Sequence, residues 1–441
     1  MIQTLNTRVR RVISSLDEHT LEVISKSSSS LLVKLLGLSA GMVVSIALGR
    51  TLGAAGLGIV NLTQLVATVL MAAAMLGMDT VLIKRVAIGH ESGKPQEVAS
   101  SLYTASVING LLAGVFTVAG MLAAPWLSRR VFHTQALEIP LVVTLAMLVP
   151  QAFARIYAAS LNGFRKIWQS NLANNTMSTW VVGVGLAMLY VLHLPITVIS
   201  VAVLYAVGRL AVYFSLGIYH RTLFHYSGPR NFIPRPMLAM GIPLLITTTA
   251  FQITSNADGV MLGWLRSPHE VGLYSVAGRL TIMESLFLMV SNSAIGPKLA
   301  FLYSCGRLRE VERMIHRVTA GLTLLATISL MLFVVFGHWL LSIWGREFGG
   351  AYLVLVVLGI GQFFNISTGC CGMLLVMCGH EKILGYLSSA FLVINLILNY
   401  FLILKWGALG AASATAITIA GQNIAKLIIA KRKTGISTVP F

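Results

Sequence analysis

Seven ionisable residues stand inside or at the edge of long apolar runs: Lys34, Asp79, Arg155, Arg209, Asp258, Arg279 and Glu284. Each would cost roughly 3 kcal/mol or more at the middle of a bilayer unless it is paired or faces water. Two readings follow. In one, the charges neutralise each other, for instance Asp258 with Arg279, while Lys34, Arg155 and Arg209 snorkel to an interface. In the other they line a hydrated cavity with a slight positive bias, since four cations stand against three acids. Asp258, Glu284 and Asp79 are then the groups for charge pairing or for coupling a proton or sodium ion. Asn171, Asn174 and Asn175 open one apolar run, and Gln252 and Asn256 closely precede Asp258 in another. Such amides either line a cavity or bond between helices.

Other chemistry is missing. The nearest approach to a nucleotide-binding loop, Gly89 to Gly93-Lys94-Pro95, has the wrong spacing and a proline where magnesium would need Ser or Thr. No metalloprotease helix or serine nucleophile elbow occurs. Cys305, Cys370, Cys371 and Cys378 lack metal-ligand or redox spacing and read as small apolar residues. No metal or other cofactor is expected.

The elements that must position these residues are transmembrane helices. The chain has 441 residues, of which 56% are hydrophobic and 10% charged, against roughly 25% charged in soluble proteins. Apolar runs long enough to cross a core about 30 Å thick fall near 29–49, 57–77, 102–124, 140–160, 171–192, 195–218, 239–262, 272–295, 317–341, 351–376, 383–404 and 407–430. The fold class is thus an all-α integral membrane protein of about twelve helices. Only His193, Leu194 and Pro195 separate the fifth span from the sixth.

Lys and Arg sort onto alternate connections. With the N-terminus inside, twenty-two fall on the cytoplasmic side, and only Arg50, Arg129, Arg130, Arg266, Arg346 and Lys405 fall outside. This asymmetry predicts cytoplasmic termini. It also accounts for the net charge of +18 without nucleic acid, which would need one basic soluble face. No cleavable signal peptide is evident in the first 28 residues, where Val9, Val12, Ile13, Leu16, Val23 and Ile24 could build an interfacial helix.

A repeat organises the spans. Gly56-Leu57-Gly58 and Gly272-Leu273-Tyr274 lie 216 residues apart, as do Gly163-Phe164-Arg165-Lys166 and Gly379-His380-Glu381-Lys382. A shared offset predicts two six-helix halves, related by an axis along the membrane normal and enclosing a central cavity. The expected divisions are an N-terminal segment 1–28, a first lobe 29–218, a linker 219–238, a second lobe 239–430 and a basic tail 431–441. The hydrophilic stretches 219–236 and 298–316 are too short to fold alone.

Leu48-Gly49-Arg50 running into Gly56-Leu57-Gly58, then Leu76-Gly77-Met78-Asp79 and Lys84-Arg85, resembles the first two spans of polysaccharide-biosynthesis flippases. Asn256-Ala257-Asp258, Leu262-Gly263-Trp264 and Glu270-Val271-Gly272-Leu273-Tyr274-Ser275-Val276-Ala277 resemble the start of their second half. These are the lipid-linked oligosaccharide exporters of the multidrug/oligosaccharidyl-lipid/polysaccharide (MOP) superfamily. The resemblance implies two lobes around a cation-lined cavity in the cytoplasmic membrane. It implies a polyprenyl-pyrophosphate-linked oligosaccharide as substrate, membrane lipids as surroundings, and a polysaccharide polymerase and chain-length proteins as partners. Arg279, Arg155, Arg209 and Lys34 become the residues that handle pyrophosphate, because guanidinium forks pair bidentately with phosphate oxygens. Polar lining falls to Asn171, Asn175, Gln252 and Asn256. A sister branch exports cationic drugs by ion exchange; that reading needs acids in the first lobe, where Lys34 stands instead. A membrane enzyme of polysaccharide assembly would present catalytic residues in a sizeable outer loop, which the spacing does not leave room for. The expectation is therefore a transporter and not an enzyme.

Overall fold

The computed structural model describes the backbone of residues 18–438, and their side chains apart from 18–32, 174–175, 243, 246–251, 253–255, 293–294 and 297. Val9, Val12, Ile13 and Leu16 lie outside the described residues, as do the side chains of Val23 and Ile24. Every regular element among the described residues is helical. In hydrocarbon each backbone N–H and C=O must find its partner inside the protein, and a helix satisfies them within one segment. Eight helices are long and apolar enough to cross a membrane, or nine with the pair Gln135–Ala146 and Leu148–Gly163, bent by 42°. Leu122 (78% exposed) and Val335 (68%) point outward. Water would make such apolar surface a liability; lipid makes it a match.

The first helix, α1 (Glu18–Met75), is two arms. It starts ahead of the expected first span and runs without a break through residue 28. Gly53 interrupts it with φ 68°, ψ −176°, a region only glycine enters freely. The Arg279 guanidinium reaches both the Gly41 carbonyl and the Asn61 side chain, each at 3.4 Å. Twenty residues of straight helix would hold those groups about 30 Å apart. The chain therefore reverses at Gly53, and the arms run antiparallel. Glu347 Oε1 accepts from the Ala54 N–H at 2.8 Å, placing an acid at the start of the second arm, where free N–H groups favour it.

Then follow α2 (Met78–Glu91), α3 (Pro95–Trp126), α4 (Glu138–Ala146), α5 (Leu148–Gly163) and α6 (Ile167–Asn171). A π turn, Leu172–Met177, leads into α7 (Ser178–Val191). The narrow break expected at His193 to Pro195 is present. Helix α8 (Val198–Leu223) opens with a capping box, Thr197 and Ser200 each accepting from the other's backbone N–H. The linker is pinned to α3, with the Asn231 and Ile233 N–H groups donating to the Ser100 and Thr104 hydroxyls at 3.0 Å.

The second half holds α9 (Pro234–Leu265), α10 (Pro268–Ser304), α11 (Leu308–Ser342), α12 (Tyr352–Ser367), α13 (Cys371–Met377), α14 (Glu381–Trp406) and α15 (Ala408–Thr434). The hydrophilic stretch 298–316 is not an open loop: it forms the end of α10 and the start of α11, joined by a short turn around Gly306 (φ 70°). The tail after α15 folds back. Ile436 is 2% exposed, and the Thr438 hydroxyl donates to the Thr368 carbonyl at 2.9 Å.

The sequence repeat has a structural counterpart. Arg50 and Arg266 stand at the same 216-residue offset, and both cap helix ends. Arg50 Nε donates to the Ile343 carbonyl at 2.8 Å, and Arg266 donates to the Ile403 and Leu404 carbonyls at 3.0 and 2.7 Å. Cations there satisfy orphan carbonyls at the negative end of the helix dipole. The repeated glycines meet across the halves. A methyl group on Gly58 would overlap the Pro268 carbonyl, and one on Gly272 would overlap the Ala54 carbonyl. Beside them Trp344, fully buried, covers Gly49 and donates to the Ser45 hydroxyl at 3.0 Å. The end of the bundle near Gly53 is thus tightly closed.

Candidate functional site

The first site is a seam of arginines, of which Arg279 crosses between the halves. Arg209, from α8, donates through Nη2 to Gln64 Oε1 at 2.5 Å and through Nη1 to the Thr144 carbonyl at 3.2 Å. That carbonyl lies in the last turn of α4, just before the 42° bend, and also accepts from the Met147 N–H at 3.2 Å. Arg279, from α10, crosses to α1 through its two 3.4 Å bonds, and Asn61 is steadied by its own bond to the Ser275 hydroxyl at 2.7 Å. Bonds of 3.4 Å are long for N–H to oxygen, whose usual range is about 2.7–3.2 Å. Arg279 is therefore placed but weakly held.

Tyr205 lies within electrostatic reach of both Arg209 and Arg279, and Arg155 within reach of Arg209. Arg155 faces Asp79, the acid in the first turn of α2, yet among the described residues no ion pair closes within 4 Å between them. The structure thus groups three of the four expected cations. Lys34 is exposed on the first arm, two turns and about 10 Å along the axis from Gly41; no bond joins it to the seam among the described residues.

The second site lies inside the second half around Asp258, which is 7% exposed. Tyr274 Oη and Thr415 Oγ1 donate to its Oδ2 at 2.7 and 2.6 Å, and Asn399 Nδ2 donates to Oδ1 at 2.6 Å. Asn399 also donates to Asn395 Oδ1 at 3.0 Å, while its own Oδ1 is buried without a partner. The pairing of Asp258 with Arg279 does not form: the acid is held by neutral donors of α10, α14 and α15, and the arginine turns toward α1. Nor does Arg209 snorkel, since it spends its donors inward.

Glu284 is 3% exposed, with Ser329 of α11 as its polar neighbour, and meets no cation among the described residues. Asn256 bonds back to the Gln252 carbonyl of its own helix at 2.7 Å. Gln252 is half-buried. Asn171, at the end of α6, is engaged in a contact of its own, and the side chain of Asn175 lies outside the described residues. No group of three or more His, Cys, Asp or Glu placed to hold a metal occurs among the described residues.

Sequence reasoning missed Asn61, Gln64 and Tyr205 at the seam and Tyr274, Asn399 and Thr415 around Asp258. Asn395 and Asn399, one helical turn apart in an apolar run, were the available signal.

The sequence model for "Polysaccharide biosynthesis protein" matches residues 23–302, and the "MatE" model matches residues 243–401. The chain is similar to the capsular polysaccharide biosynthesis protein CapF of Staphylococcus aureus, 22% identical over 76% of this chain and 82% of that protein. A probable low-salt glycan biosynthesis flippase of Haloferax volcanii, Agl15, is 26% identical over 41% of this chain and 40% of its own length. Among solved structures, an inward-facing multidrug resistance MATE family transporter of the MOP superfamily superposes with a TM-score of 0.75 at 12% identity, over 92% of this chain and 98% of that one. The lipid II flippase MurJ in an inward closed conformation gives 0.71 at 15% identity, over 92% and 87%.

Proposed function

The chain belongs to the polysaccharide biosynthesis protein family, and we propose that it is a MOP-type flippase that moves a polyprenyl-pyrophosphate-linked oligosaccharide across the cytoplasmic membrane. The observation that carries this reading is the arginine seam: guanidinium groups from both halves, bonded to neutral acceptors and open to a stronger one. Each guanidinium offers five N–H donors, and the hydrogen bonds of Arg279 engage only two of its nitrogens, both at long range. A phosphate oxygen is a better partner than an amide or a carbonyl because the bond is charge-assisted.

The architecture in this reading is twelve crossings in two six-helix lobes around the seam. The arms of α1 count separately, the bent pair α4 and α5 counts once, α6 with α7 makes another, and α9 completes the set. With both termini cytoplasmic, the closed Gly53 end faces outward and the substrate enters from the tail end. Surface-polysaccharide polymerase and chain-length proteins are the partners that would receive the product. Asp258 supplies the coupling site. Its carboxylate, the Thr415 hydroxyl and the unpartnered Asn399 carbonyl oxygen are a hard-oxygen set suited to a sodium ion, with a proton on Asp258 as the alternative occupant. The MatE match raises drug export as a second reading, but three arginines at the seam repel a cationic cargo.

A pyrophosphate carries about two negative charges, and moving each outward down an inside-negative potential yields roughly 2.3 kcal/mol per 100 mV. Purified protein in vesicles with a labelled glycolipid should therefore flip more slowly when the potential is collapsed and be indifferent to ATP. A requirement for ATP at clamped potential, or movement of a lipophilic cation in place of the glycolipid, would reject the reading.

A further inference from the structure

Away from both sites, the last turns of α10 and the first three turns of α11 border an open cavity of about 360 Å³ at the tail end of the bundle, within the range of about 300–1,000 Å³ common for small-molecule sites. Its rim carries Lys298, Arg313 and Arg317, and its floor is Leu302, Met314 and Val318. None of the three cations has a hydrogen bond or ion pair among the described residues, and all three are exposed. Glu310 also lines the cavity and pairs with Arg307 at 3.7 Å, which leaves three cations against one acid at the cavity itself.

Two features separate this cavity from ordinary topological charge. Arg313 and Arg317 are one turn apart on one face, where like charges repel, and Lys298 is brought against them from another helix. A positive-inside bias needs cations near the membrane but no concavity between them. The depth is also defined. Residues 308–317 of α11 are mostly polar and charged, and the apolar run begins at Val318. The rim therefore sits at the headgroup layer and the floor opens toward hydrocarbon. The tail fixes this corner from the other face of α11, where His316 bonds the Ser437 carbonyl at 2.9 Å and Glu312 accepts from the Ser437 N–H at 3.4 Å.

We propose that this cavity binds an anionic membrane phospholipid, its phosphate between Lys298, Arg313 and Arg317 and one acyl chain over Leu302, Met314 and Val318. Phosphate is the anion whose oxygens use both guanidinium forks, and the apolar floor gives a lipid a purchase that a free anion lacks. The site stands whatever the arginine seam carries, and its test uses no transport readout.

The full chain in detergent would be titrated with phosphatidylglycerol, phosphatidylcholine and inorganic phosphate and followed by native mass spectrometry. Retention of phosphatidylglycerol over phosphatidylcholine is expected. At about 1 kcal/mol for each basic residue near a lipid surface, Arg313→Ala with Arg317→Ala should weaken it roughly 25-fold, and Arg317→Gln alone about fivefold. Arg313→Lys with Arg317→Lys preserves charge and should keep most of the binding, which separates loss of the site from misfolding. Lys431→Ala with Arg432→Ala, outside the cavity, should change nothing. Equal retention of both lipids, unchanged affinity in the alanine or glutamine variants, or full displacement by equimolar inorganic phosphate would overturn the assignment, the last by making the ligand a free anion.

Discussion

The arginine seam and the Asp258 pocket are both buried polar sites in lipid-facing bundles, yet they are held in opposite ways. Arg279 spans two halves of the chain through bonds of 3.4 Å. Asp258 sits within one half, clasped by three donors at 2.6–2.7 Å. A carboxylate offers about four lone-pair sites, so Asp258 is nearly saturated while the guanidiniums are not. The contrast teaches where change is cheap. A ligand at the seam replaces weak bonds that also tie the halves together, so binding there is coupled to their separation. A ligand at Asp258 must displace strong bonds among α9, α10, α14 and α15, so a small cation can bias that half only by rearranging its helices.

The largest expected effect breaks the seam. Arg279→Ala should cut export roughly 30-fold or more, the loss expected for a charge-assisted bond, with insertion unchanged by fluorescence size-exclusion chromatography. Arg279→Lys should recover part, keeping the charge without the fork. Adding Asp258→Asn or a neutral replacement of Glu284 should not restore export, because neither acid meets Arg279; recovery in complementation would show that charge balance, and not ligand binding, is what Arg279 provides.

Asp258→Asn alone probes the other side of the contrast. It should abolish the response of export to an imposed sodium or proton gradient and slow export about tenfold, within the usual 1–3 kcal/mol of coupling between sites. A gradient response of normal size in vesicles containing the variant would remove Asp258 from the coupling role.

Arg209→Lys is predicted to be milder. Its partners Gln64 and Thr144 belong to its own half, so loss of one neutral-acceptor bond should lower export by roughly fivefold without loosening the contact between halves. A loss as deep as that of Arg279→Ala would erase the distinction between the two arginines. Smallest of all, Glu347→Gln keeps an acceptor for the Ala54 N–H but removes a charge worth about 0.3–1 kcal/mol at a helix start. The melting temperature should fall by about one degree or less with export nearly intact, and a drop of several degrees would show that the closed end depends on this cap for more than its charge.

The sequence was most informative where a property is local. The 216-residue repeat pointed to two related halves, and Arg50 with Arg266 extends it to matching helix caps. It was least informative where partners come from afar. Asn399 and Thr415 reach Asp258 across 141 and 157 positions, and Gln64 reaches Arg209 across 145. The bland pairing of Asp258 with Arg279 was reasonable on charge alone and failed because the two residues, one on each of consecutive helices, turn to different neighbours.

What the sequence determined by itself was the solvent, the helices and the inventory of buried charge, since hydropathy sums along the chain and a backbone in hydrocarbon has few alternatives to a helix. Which charges meet was decided only by tertiary packing. Lipid-facing surfaces are equally apolar on every helix, so the hydrophobic effect does not choose neighbours inside a bilayer. Close glycine contacts and buried polar bonds do, and here they carry Arg279 across the halves and leave an aspartate enclosed within one.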